Sequence, residues 1–108
     1  MAENLGEKTI KFIKIPPIHT FMDLKFVEKK LPDPLGFDHS KYQAIIKGLD
    51  CGTISIIYGF GAYGKGPETD CYEIWIMNEW DEPRRFVSSN EIDNIIKNEW
   101  VRTVYKIF

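Results

Sequence analysis

Two stretches constrain this chain more than any other part of it. Thr53 to Ala62 and Cys71 to Asn78 are dense in isoleucine and aromatic residues, and a turn-forming segment, Tyr63 to Asp70, separates them. β-Branched and aromatic side chains favour a pleated backbone, while glycine and proline favour chain reversal. The pair is therefore predicted to be a β-hairpin. Glu79-Trp80-Asp81-Glu82-Pro83 forms a second, shorter connection, and Arg84 to Val87 a third strand, so the region reads as a meander.

Side chains alternate between the two faces of a strand. Centring the first turn on residues 66–67 opposes Ile74 to Gly59, Tyr72 to Gly61 and Ile76 to Ile57. Residues 57, 59, 61, 72, 74 and 76 then share a face that the last helix is expected to cover. The opposite face carries Ile54, Ile56, Tyr58, Phe60, Trp75, Met77 and Val87, interrupted by Glu73. Both faces are apolar, whereas an antiparallel sheet normally leaves one face wet and polar. Either the remaining helices or a partner must cover the second face. A slip of one residue would exchange every face.

After the meander, Ser88-Ser89-Asn90-Glu91 fits a capping box, with Ser88 as the cap and Glu91 at the third helical position. Ile92, Ile95, Ile96 and Trp100 make one stripe of the helix that follows, and Val101 to Phe108 alternates like a closing strand. Toward the N-terminus, residues 1–7 read as frayed and Thr9 to Ile15 as a strand stopped by Pro16-Pro17. Thr20 to Leu31 reads as a helix with a lysine-rich polar side, although Met22, Leu24 and Phe26 also alternate. Pro32 to Gly36 is a loop. Asp38 or Ser40 is expected to cap a short helix to about Leu49, on the stripe Tyr42, Ile45, Ile46 and Leu49, with Gly48 and Gly52 as exit signals. The fold class is thus α+β: an antiparallel sheet of about four or five strands against a C-terminal helix and one or two short earlier helices.

At 108 residues the chain fits a single domain, 1–108, and its 44% hydrophobic and 28% charged residues exclude a disordered or low-complexity chain. The formal net charge is -2, so the chain as a whole has no basic footprint for nucleic acid. No apolar run approaches bilayer length, and Met1-Ala2-Glu3-Asn4 does not open like a signal peptide. No membrane partner is expected. Cys51 and Cys71 match no metal-ligand spacing and lie toward opposite ends of the hairpin, so neither metal, cofactor nor disulfide is expected. A reduced, cytoplasmic setting follows. The lysine and isoleucine bias (11 Lys to 3 Arg, and 15 Ile) is of the kind met in low-GC bacteria and their phages.

Gly59-Phe60-Gly61-Ala62-Tyr63-Gly64 matches G-x-G-x-x-G. A dinucleotide-binding turn must open a helix whose N-terminus holds the pyrophosphate. Here another strand follows, and the lysine, H-R-D and D-F-G motifs that accompany a kinase-type glycine loop are missing. The glycines read more simply as permitting close packing. The nucleotide reading nevertheless defines one candidate set: Gly59, Gly61, Gly64, Lys65, Arg84 and Arg85. For nucleophilic catalysis the candidates are Cys51, Cys71, Ser40, Ser88 and Ser89, served by His19 and His39 alone. No constellation of nucleophile, base and orienting group emerges.

Charge is uneven. Residues 1–65 hold nine lysines against seven acids, whereas residues 66–108 hold five bases against nine acids. The expectation is a non-enzymatic module that binds another protein through the second sheet face, such as an inhibitor, immunity-type or phage-encoded accessory protein. Tyr58, Phe60, Trp75 and Met77 are its expected apolar anchors, with Trp80, Asp81 and Glu82 at the rim. Homodimerisation is a sub-case. A nucleic-acid or nucleotide binder is the second expectation, and a small enzyme with a Cys51 or Cys71 nucleophile the third.

Overall fold

Among the described residues, five strands lie side by side in the order in which the chain visits them, and each of their pairings is antiparallel. The computed structural model describes residues 16–30, 35 and 40–107. The residues expected to fray (1–7), the expected N-terminal strand (Thr9 to Ile15), most of the loop expected at 32–36, the cap at Asp38 and the candidate base His39 lie outside the described residues. The strands are β1 (Val27–Lys30), β2 (Ser40–Leu49), β3 (Gly52–Gly59), β4 (Tyr72–Ile76) and β5 (Arg84–Val87), and one helix, α1 (Ser89–Ile107), follows them. The architecture is α+β.

The expected early helices give way to strands. Of the residues expected as that first helix, 20–30 form a single 3-10 turn at Phe21–Asp23, and the chain then extends into β1. Asp23 Oδ2 holds that turn by accepting from the Thr20 N–H and hydroxyl at 3.1 and 2.9 Å. Residues 40–49, expected as a helix, are the longest strand. Tyr42, Ala44 and Ile46 alternate onto the core face, and Ala44 and Ile46 are buried there. A bulge between Ile46 and Leu49, with Gly48 at φ 86°, turns Leu49 inward as well. That irregularity is what makes a strand imitate a helical stripe.

The β3–β4 register differs from the expected one by three residues. Ile54 opposes Ile76, Ser55 opposes Trp75, Ile56 opposes Ile74, and Ile57 opposes Glu73. The cause is the connection, which is two turns rather than one. Gly59 N–H donates to the Gly64 carbonyl at 2.9 Å and closes the first, and the bridge between Gly66 and Cys71 closes the second. An odd shift exchanges the faces of one strand relative to the other. Ile54, Ile56, Ile74 and Ile76 therefore share one face and form a single core cluster with Ile92 and Ile96 of α1.

α1 begins as expected: Glu91 N–H donates to Ser88 Oγ at 3.2 Å. It then runs on to Ile107, through residues expected to form a strand. Extending an existing helix avoids a new nucleation cost, and the last turns are anchored. Thr103 Oγ1 accepts from Asp50 N–H at 2.8 Å and donates to the Glu99 carbonyl at 2.7 Å. Arg102 and Lys106 both reach the Asp50 carboxylate, at 3.3 and 2.9 Å. Among the described residues, no helix is long and apolar enough to cross a membrane.

Candidate interaction surface

α1 covers one face of the sheet, and the register defines the other. Two cross-strand rows run over that helix-free face. Val27, Gln43, Ile57 and Glu73 make the first, across β1 to β4; Ile45, Ser55 and Trp75 make the second, across β2 to β4. Ile45 is 45% exposed, while Ile57 and Trp75 are half-buried. The polar centre is satisfied internally. Gln43 Nε2 donates to Ser55 Oγ at 3.0 Å and Gln43 Oε1 accepts from Lys29 Nζ at 2.9 Å. Glu73, only 7% exposed, accepts from the Tyr63 N–H at 3.4 Å and lies 4.0 Å from Arg85 Nε.

The residues expected as one set of anchors are divided by the register. Trp75 lies on the helix-free face, and its Nε1–H donates to the Trp80 carbonyl at 2.9 Å. That bond holds the turn bearing exposed Asp81 and Glu82 beside the indole. Trp80 itself packs toward the core, with the Arg84 guanidinium 4.2 Å above its ring. Tyr58 is on the opposite, helix-covered side. It stacks on Tyr42 at 4.7 Å and meets Phe26 and Tyr72 edge-on, and burial pushes its phenol pKa up. Phe60 and Met77, both about half exposed, sit at opposite ends of the β3–β4 hairpin. The structure thus sets Trp75 beside the turn that bears Trp80, Asp81 and Glu82, keeps Met77 in the same ladder two residues along, its N–H donating to the Thr53 carbonyl at 3.0 Å, and separates Tyr58 and Phe60 from them.

The glycine loop serves the chain itself. Gly59 has φ 102°, and a Cβ there would stand 2.7 Å from the Ser40 carbonyl oxygen. A Cβ at Gly64 would collide with the Cys71 backbone. The N–H groups of Gly59, Phe60, Ala62, Tyr63 and Gly66 all donate to protein acceptors, whereas a phosphate cradle needs such groups free. Of the accompanying cations, Arg84 lies over Trp80, and Arg85 lies 4.5 Å over the Tyr63 ring. Lys65 lines a shallow cleft of about 340 Å³ with Tyr63, Cys71 and Phe86. Gly61 lies in the same loop at φ 81°.

Both cysteines are free thiols. Cys51 is buried in the core, and burial pushes its thiol up to about 12, with the Glu99 carboxylate adding to the shift. A nucleophile needs the opposite shift. Cys71 Sγ lies 3.7 Å from the Tyr63 carbonyl. His19 is occupied elsewhere, 3.4 Å from Asp23 Oδ2 and against the Trp100 ring. Ser88 Oγ caps α1, and Ser40 Oγ donates to Glu28 at 2.8 Å.

Gln43 and Ser55 belong to the helix-free face without having stood out in the sequence, while Ile45, expected on a helical stripe, and Ile57, expected under the last helix, are carried there by the register. Reading residues 40–49 by alternation rather than by helical period would have placed Gln43 and Ile45 together. Tyr63 and Phe86, whose rings meet edge-on at 5.6 Å, were also unmarked. Phe86 takes the left-handed φ of 56° at the β4–β5 bulge, a conformation that no sequence rule assigns to phenylalanine.

Comparison with family models, with curated proteins and with solved structures found no match for this chain.

Proposed function

We propose that this chain is a small non-enzymatic protein-binding module that works through the helix-free face of its sheet. One observation carries the reading: by register Ile45, Ile57 and Trp75 lie on the face opposite the isoleucines that α1 packs against, and Ile45 keeps 45% of its surface exposed there. Around this apolar centre, Lys25 and Lys29 border a groove that also contains Val27, Gln43 and Ile45, and Asp81 and Glu82 border Trp75. An apolar centre with a charged rim is the usual anatomy of a contact surface. An inhibitor, immunity-type or phage-encoded accessory protein would use such a face to occlude its partner, with no chemistry of its own.

Site-specific photo-cross-linking tests this. A photoreactive residue at position 45 should give discrete adducts, and the same residue at position 105, exposed on α1, should give none. Identical adduct patterns from both positions, or no adduct from position 45, would overturn the proposal.

A further inference from the structure

The helix-free face is complementary to itself, and we infer that a second copy of this chain packs on it, about a two-fold axis running along β3. The inference rests on the reading of this face as a contact surface. β3 is the middle one of the five described strands, with β2 and β1 on one side and β4 and β5 on the other. A two-fold axis along it lays β2 of each copy over β4 of the other, with each residue kept at its own level along the strands.

The rows then match in chemistry. In the second row, Ile45 and Trp75 flank Ser55, so Ile45 of each copy meets Trp75 of the other. In the first, Ile57 meets its own copy, while Gln43 and the buried Glu73 keep their internal partners. Outside the second row, Lys25 borders Ile45 on the β1 side, and Asp81 and Glu82 border Trp75 on the β4–β5 side. The same rotation sets this cation over those acids, twice. An axis across the strands would instead oppose lysine to lysine. Isologous pairing needs a patch that complements itself under one rotation, and this face meets that requirement in residue order and charge. Two sheets in this arrangement stand about 10 Å apart with strands nearly aligned.

Sedimentation equilibrium on the full chain, from about 1 μM to about 1 mM, measures the association directly. A species of twice 12.6 kDa is expected, weakened at least a hundredfold by Trp75→Glu and by Ile45→Glu, each checked by circular dichroism for retained fold. Lys25→Glu should weaken it by about tenfold at low salt, and adding Asp81→Lys and Glu82→Lys should restore it. A monomer throughout the range would overturn the second copy as occupant. Adducts from position 45 with masses other than the dimer's would then still uphold the contact surface. A dimer insensitive to Trp75→Glu and Ile45→Glu would overturn the placement, and failure of the compensating reversal to restore association would overturn the axis.

Discussion

The indole Nε1–H of Trp75 donates to the backbone carbonyl of Trp80, 2.9 Å away, and pins the β4–β5 turn to the helix-free face. Trp75 therefore has two roles, presenting a partly buried ring on the helix-free face and ordering the acidic residues beside it.

Replacing Trp75 by phenylalanine keeps an aromatic ring and deletes the donor. A net loss of about 1 kcal/mol is expected in urea denaturation, the ordinary worth of one such bond. Trp80 amide protection from hydrogen exchange should fall with it. An unchanged midpoint and unchanged exchange would show that the turn is held by other contacts.

Tyr58 and Met77 should respond in opposite ways to truncation. Tyr58 is built into the aromatic cluster with Tyr42, Phe26 and Tyr72. Tyr58→Ala is expected to cost about 3 kcal/mol. Met77 is largely outside the core, and Met77→Ala should stay within about 0.5 kcal/mol. Equal effects would contradict the face assignment.

The two thiols should differ in reactivity. Cys51 is buried, and its thiol is pushed up to about 12. Thiolate is the reacting species, so iodoacetamide at pH 8 should label Cys71 in the folded protein and Cys51 only after unfolding. Equal labelling rates in the native state would show that the Cys51 region opens readily.

Stability should fall on acidification. The Asp50 carboxyl is held below its ordinary range by the hydrogen bond from Lys106 and by the Lys106 and Arg102 charges. Asp70 is lowered by its bonds from Ser89, and Asp93 by bonds from Lys97 and the Phe21 N–H. A carboxyl whose pKa is depressed by folding stabilises the native state above its unfolded value, near 3.8, and loses that contribution as pH falls through the folded value. Melting temperature should therefore hold above about pH 5 and drop below about pH 4. Asp50→Asn should lower it at neutral pH and flatten the acid limb; a profile parallel to wild type would remove Asp50 from the explanation.

The sequence by itself determined the elements whose reasons are local. β3, β4 and β5 follow from β-branched and aromatic density between turn residues, and the start of α1 follows from the Ser88 cap and the isoleucine stripe at Ile92 and Ile96. Where two periodicities coexisted, the tertiary structure decided. Residues 40–49 carried both, and the strand prevailed because β1 and β3 offer hydrogen-bonding edges on either side of it. Residues 101–107 alternated, yet they continue α1, where Asp50 receives Arg102 and Lys106. The surface was the least legible part. Side-chain direction along a strand has period two, so the three-residue register offset introduced by the double turn between Gly59 and Cys71 carried Tyr58 to the covered side and left Trp75 on the other. A one-dimensional pattern can show that both faces are apolar. Which residues share a face depends on how the two strands meet across the loop, and that is settled by hydrogen bonds between residues distant in sequence.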